Sequence, residues 1–244
     1  MLLKALIWGL SPLVVSKTPC VENAPPVGFQ DLAQTAPSVL QDIRYAGASN
    51  FTQAPLPGYG AESAWLVDKA ADALKRVQAT LEKQGLGLLV YDAYRPQRGT
   101  AAMVAWAECL GQEALLNDGY IARHSGHNHG HTVDLTLVSQ ATGTPLDMGT
   151  PWDTFSEESH TLNATGTALE NRLVLKRAME AEGFRNYTKE WWHFRLPTEG
   201  TRPRDVPYGC EEPGEGSWTA PEGWHNVAYR VPGVWPPQSC DYQP

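Results

Sequence analysis

Residues 132–138, TVDLTLV, alternate like a β-strand yet carry Asp134 in their interior. A carboxylate inside an apolar strand is expensive unless it is paired or bound to a metal, so the fold must bring a partner to that point. Candidates stand just upstream. The run HSGHNHGHTVDLT places His124, His127, His129, His131 and Asp134 within eleven residues, and it holds four of the chain's seven histidines. Imidazole and carboxylate are standard ligands of a catalytic Zn²⁺, which keeps one position open for water. A histidine-rich loop can also bind metals loosely or only face solvent, so the cluster by itself leaves both readings open.

A second constellation, KEWWHFRL, supplies Glu190 and His193 with Trp191 and Trp192 between them. In a straight strand, residues three apart point to opposite faces, so both reach one metal only if Glu190 lies at a bend before the strand. Given that bend, His193 becomes a third ligand, and Glu190 stands unligated where it can take a proton from water and pass it to a leaving amine. The tryptophans either dry and shape such a site or are core residues. A third piece, YDAYRPQR, sets Arg95 after a buried strand and before a rigid proline. A guanidinium held there can donate hydrogen bonds to an oxyanion developing at a scissile carbonyl. The alternative is an arginine paired with a surface acid, as expected for Arg98.

Between these pieces the periodicity is helical or strand-like in short stretches. Apolar residues at Leu66, Ala70, Leu74, Val77 and Leu81 predict a helix over 62–84, with Gly85 as its C-cap. Residues 86–94 read as a buried strand, 100–110 and 168–182 as helices, and 184–187 and 191–196 as two short strands joined by a turn. With no regular βαβ alternation, this mixture predicts one α+β domain with helices packed on a mainly antiparallel sheet. From Pro197 onward lie nine of the 19 prolines and three of the nine tryptophans, which predicts an irregular strap that covers an apolar face or fences a cleft.

Charge and cysteines narrow the partners. With 19 Lys+Arg against 27 Asp+Glu and a pI near 5.3, the chain lacks the basic surface that nucleic acid requires. No apolar run approaches the ~18–20 residues needed to span a bilayer. Residues 1–16, with Lys4, an apolar stretch and Ser16, read as a signal peptide, which predicts a periplasmic or secreted protein, the alternative being a cytoplasmic one. Of Cys20, Cys109, Cys210 and Cys240, the pair Cys210 and Cys240 brackets a segment of little periodicity and is the expected disulfide, with Cys109 a buried thiol on a helix.

Taken in order, Tyr-Arg-Pro-Gln-Arg, Ser-x-His-x(6)-Asp-Leu-Thr-Leu and Glu-Trp-Trp-His resemble the motifs of the VanX-type D-Ala-D-Ala dipeptidases. The likeness runs from about Gly28 to about Pro207 and includes DIRYAGASNF and MGTPWDTFSEESH. It implies the small α+β fold shared with DD-carboxypeptidases and hedgehog domains, over residues 28–207, with 208–244 as an added tail. It further implies one Zn²⁺ held by His127, Asp134 and His193, Glu190 as acid/base, and Arg95 on the tetrahedral intermediate. Ser125 matches a residue near the substrate carboxylate, while Tyr45 and Asp153 match those that bind its free ammonium. His129 and His131 depart from the pattern and leave that wall's specificity open. The implied reaction is hydrolysis of a small dipeptide, D-Ala-D-Ala. Other readings are a DD-carboxypeptidase or endopeptidase on longer cell-wall peptides, against which Tyr45 and Asp153 argue, and a non-catalytic cell-wall binding module, against which Glu190 argues.

Overall fold

The computed structural model describes residues 23–209. The expected signal peptide, Cys20, the Cys210–Cys240 pair and the tail from residue 210 lie outside the described residues.

The chain opens with β1 (Phe29–Asp31), a single helical turn α1 (Leu32–Thr35) and the short β2 (Leu40–Gln41). Next come β3 (Trp65–Val67) and helix α2 (Asp68–Glu82). The helix predicted over 62–84 is thus a strand at its start. Trp65, Leu66 and Val67 are all buried and pair antiparallel with β1, whereas a helix would turn one of three consecutive residues outward. From Asp68 the helical spacing takes over, and Ala70, Leu74, Val77 and Leu81 form its buried stripe. Asp68 itself puts an acid in the first turn, where the helix dipole favours it.

Strand β4 (Leu86–Asp92) follows, then α3 (Gln97–Cys109), which begins one residue after Pro96 rather than at Thr100, and the short α4 (Glu113–Asn117). Proline stops the strand and is pre-set for the entry to a helix. Cys109 is half-buried at the last turn of α3. The remaining elements are β5 (Thr132–Ser139), α5 (Gly166–Ala181), β6 (Arg185–Asn186) and β7 (His193–Arg195). The main sheet has the order β2-β4-β5-β7-β6, antiparallel throughout except for the parallel pair β2–β4. Helices α2 and α5 pack on each other and against β4 and β5. This is the expected α+β architecture. Among the described residues no helix is long and apolar enough to cross a membrane.

Register matters most at one end of this sheet. Asp92 of β4 lies opposite Asp134 of β5, and Asp134 lies opposite His193 of β7, after a bulge between Val90 and Asp92. Three polar side chains therefore share one row across three strands. The described part of the strap, residues 197–209, is tied to the segments that follow β4 and precede β5. Gln97 donates its N–H to Arg204 O at 3.0 Å, and Arg204 donates to Asn128 O at 2.9 Å. Arg98 is ion-paired to Asp205 at 3.1 Å, and the buried Tyr208 donates its hydroxyl to Tyr94 O at 2.6 Å. That hydroxyl also accepts from Trp65 N at 3.3 Å, with the Tyr208 ring 4.2 Å from the Trp65 ring.

Candidate active site

His127 lies in a single 3-10 turn, Gly126–His129, capped at its start by Ser125. The turn ends at Gly130 with φ +72°, and a Cβ there would overlap the Phe29 ring, so both conformation and space require glycine. His127 Nδ1 is 2.7 Å from Ala93 O. A carbonyl only accepts, so the proton sits on Nδ1 and the Nε2 lone pair faces the sheet row. There His127 Nε2, Asp134 Oδ1 and His193 Nδ1 converge at 3.3, 3.0 and 3.4 Å from one another.

These spacings test the fit of a metal. Two ligands ~2.0–2.1 Å from a tetrahedral ion lie ~3.3 Å apart, close to each measured edge. Asp134 Oδ1 is buried and has no hydrogen-bond partner among the described residues, which is the condition of an atom meant for a cation. His127, Asp134 and His193 are also the one group of potential ligands found among the described residues. Burial opposes the charge of Asp134, but the imidazoles of His127 and His193 hold its pKa far below the usual carboxylate value. Burial lowers the pKa of His193, favouring the neutral imidazole that ligates.

Glu190 sits in the loop between β6 and β7, and the bend required of it is present. Its N–H donates to Tyr187 O at 2.9 Å, and His193 N donates back to Glu190 O at 3.2 Å. This turn brings Glu190 Oε2 to 3.5 Å from His193 Nδ1. Burial raises the Glu190 pKa well above the ordinary value, the carboxylates of Asp134 and Asp153 raise it further, and Arg95 opposes them. Trp191 and Trp192 are core residues: both are buried, neither lines the cleft, and Trp191 Nε1 donates to Thr150 Oγ1 at 2.9 Å.

A cleft of about 350 Å³ opens over the row, with Arg95, Ser125, Glu190, Tyr45 and Asp153 in its lining. Arg95 is buried rather than a surface arginine. Its Nε and Nη2 donate to Asp92 Oδ2 at 3.0 and 2.8 Å, and its guanidinium carbon stands 5.1 Å from the Tyr45 ring centre. Burial works against its charge, but Asp92, Tyr45, Tyr59 and Asp134 together outweigh it and the Arg95 pKa is raised. Across the cleft Tyr45 donates its hydroxyl to Asp153 Oδ2 at 2.7 Å. Asp153 adopts φ +59°, a conformation unusual for a residue with a Cβ, and burial raises its pKa well above the usual range. The structure thus brings together all eight residues singled out from the sequence, His127, Asp134, His193, Glu190, Arg95, Ser125, Tyr45 and Asp153.

His129 and His131 do not join them. Their rings stack on each other at 5.1 Å, with each Nδ1 within 3.3 Å of Thr201 Oγ1, facing the strap and not the cleft. The lining of the cleft also includes Phe51, Met103, Tyr120 and Phe155; Phe51 and Phe155 fall within the DIRYAGASNF and MGTPWDTFSEESH stretches, whereas Met103 and Tyr120 carried no signal in the sequence. Asp92 ends the buried strand β4 with the same carboxylate-in-a-strand pattern that marks Asp134.

Similarity to known proteins agrees with this geometry. Residues 26–210 match the family Peptidase_M15, described as D-ala-D-ala dipeptidase. The chain is 35% identical to the D-alanyl-D-alanine dipeptidase of Enterococcus faecalis (strain ATCC 700802 / V583) over 187 residues, covering 70% of this chain and 93% of that protein. It is 35% identical to the enzyme of the same name from Streptomyces coelicolor (strain ATCC BAA-471 / A3(2) / M145), covering 70% of this chain and 92% of that protein. For the Escherichia coli (strain K12) D-alanyl-D-alanine dipeptidase the figures are 34%, 71% and 86%. A crystal structure of the D,D-pentapeptidase VanY with Zn(II) aligns with 56% of this chain and 75% of that chain at 16% identity and a TM-score of 0.36, too low to carry an argument. On the strength of the family match and the full-length relatives, the chain belongs to the Peptidase_M15 family of D-Ala-D-Ala dipeptidases.

Proposed function

We propose that the chain hydrolyses the dipeptide D-alanyl-D-alanine to two molecules of D-alanine. One observation carries the reading: a single cleft holds the His127, Asp134 and His193 trio with Glu190 on its floor and the Tyr45–Asp153 pair on its wall. The names of the relatives supply the substrate class.

The residues divide the work. His127, Asp134 and His193 would hold one Zn²⁺, which supplies Lewis acidity toward the carbonyl and brings the pKa of water toward ~7. Glu190 removes the proton from the attacking water and delivers it to the nitrogen of the leaving D-alanine, so one proton is taken and returned as the C–N bond breaks. Its raised pKa suits a group that must act first as base and then as acid near neutrality. Arg95 presents its unused N–H groups to the oxyanion. Asp153, oriented by Tyr45, receives the substrate ammonium, whose charge offsets the cost of burying the carboxylate. Ser125 stands in the wall at the cap of the histidine turn, where its hydroxyl can meet the substrate carboxylate.

The test is release of D-alanine from D-Ala-D-Ala and from a cell-wall pentapeptide, using zinc-loaded protein and its Glu190→Ala variant. Dipeptide cleavage that disappears in the variant is the expected result. Cleavage of the pentapeptide would instead make the protein a carboxypeptidase, and inactivity on both substrates would sink the reading.

A further inference from the structure

We infer that Asp92 is a positioning residue of this site, a single carboxylate that sets both the arginine over the oxyanion and the histidine ligand. The inference rests on the dipeptidase reading for its activity readout. Both oxygens of Asp92, which is fully buried, are committed. Oδ2 accepts the Nε and Nη2 hydrogens of Arg95 at 3.0 and 2.8 Å, fixing the plane of the guanidinium. Nη1, on the side not tied to Asp92, lies 3.1 Å from Met103 Sδ, a weak acceptor that competes little for its hydrogens.

The same Oδ2 lies 3.3 Å from His127 Nδ1, the nitrogen whose proton goes to Ala93 O. Asp92 also governs that carbonyl's residue, because Asp92 Oδ1 accepts from Ala93 N at 2.9 Å. It therefore reaches His127 by two routes, directly and through the peptide unit that holds the ring. A ligating histidine ordinarily gives its second N–H to a carboxylate or carbonyl, and here both are present. Tyr59 closes the set by donating its hydroxyl to Oδ1 at 2.6 Å. The strand register makes the choice of residue consequential. Asp92 and Asp134 are cross-strand neighbours, two buried carboxylates whose repulsion is relieved on one side by Arg95 and on the other by the metal ligand set.

The proposal separates into two measurable effects. In Asp92→Asn, kcat on D-Ala-D-Ala at saturating zinc should fall by about 10²-fold with KM changed less than about threefold, the pattern of a lost transition-state contact. The zinc dissociation constant, measured without substrate by chelator competition, should rise by about 10–100-fold. Combining it with Arg95→Ala discriminates further: the double variant should lose no more kcat than Arg95→Ala alone while keeping the weakened zinc binding. Wild-type zinc affinity together with wild-type kcat in folded Asp92→Asn would overturn the inference, as would fully additive kcat losses in the double variant. If Asp92→Asn does not fold, Tyr59→Phe decides. It removes one hydrogen bond to Oδ1, and a several-fold fall in kcat at unchanged KM supports the role, whereas unchanged kcat and zinc affinity reject it. If the wild-type protein proves inactive on D-Ala-D-Ala, the dipeptidase reading fails while zinc affinity still reports on Asp92.

Discussion

The floor and the wall of the cleft are built differently. On the floor, Asp92, Asp134 and His193 belong to adjacent strands in fixed register, and His127 hangs from a turn locked by Gly130 and Ala93 O. On the wall, Tyr45 lies in a short 3-10 turn, Arg44–Ala46, and Asp153 in an irregular loop at positive φ. One side-chain hydrogen bond joins them across 108 positions of sequence. On the proposed reading the chemistry rests on the rigid scaffold, and recognition rests on loops that can vary without disturbing it. Floor variants should change kcat, and wall variants should change KM.

The harshest way to break that division is Glu190→Gln, which should cost about 10²–10⁴ in kcat with little change in KM. The same change should raise the melting temperature of the metal-free protein at neutral pH. The folded-state pKa of Glu190 is raised, so the unfolded chain loses its proton first and stability falls as pH rises through the interval between the two values. Glutamine has no such loss. Melting curves should show the difference at pH 7 and show it vanish below about pH 4, where the glutamate is protonated in both states.

Next in size, Arg95→Ala should lower kcat by about 10²–10³. Because Arg95 pulls the Glu190 pKa down, its removal should also move the acid limb of the kcat/KM profile to higher pH. Smallest in kcat is Asp153→Asn, whose effect should fall on KM for D-Ala-D-Ala, by about tenfold, the weight of ~1.4 kcal/mol. Asp153 raises the Glu190 pKa, so here the acid limb should move to lower pH. Opposite shifts in these two variants would sharpen the contrast between floor and wall, and a common direction would break it.

Much of the floor was legible in sequence because its signals are local. Asp134 betrayed itself as a charge in an alternating strand, and the three-residue gap from Glu190 to His193 demanded a bend that Tyr187 and His193 provide. Trp65–Val67 was misread because three buried residues before a helix extend its apolar periodicity without belonging to it. His129 and His131 shared a motif with His127 but turn toward Thr201: His129 ends the 3-10 turn and His131 follows Gly130, so neither shares the direction of His127. The wall was illegible without the family resemblance, because Tyr45 and Asp153 meet only after folding. No pattern in the chain marks Phe51, Tyr120 or Phe155 as their neighbours.

The strap has a consequence for synthesis. Residues 204–208 clasp Tyr94, Gln97, Arg98 and Asn128 from behind, contacts that close loops of more than 70 residues. Such long-range closure slows folding, and a chain emerging N-terminus first exposes His127, Asp134 and His193 before the clasp can form. Zinc capture by nascent chains stalled at increasing lengths should stay weak past His193 and strengthen only once Tyr208 is free of the ribosome; full affinity at the earlier length would contradict this. Because a ligand of the native state alone stabilises that state, metal would then seal a nearly finished protein instead of nucleating it. On that reading the vulnerable interval in the life of this chain is the short one between translating His193 and translating Tyr208.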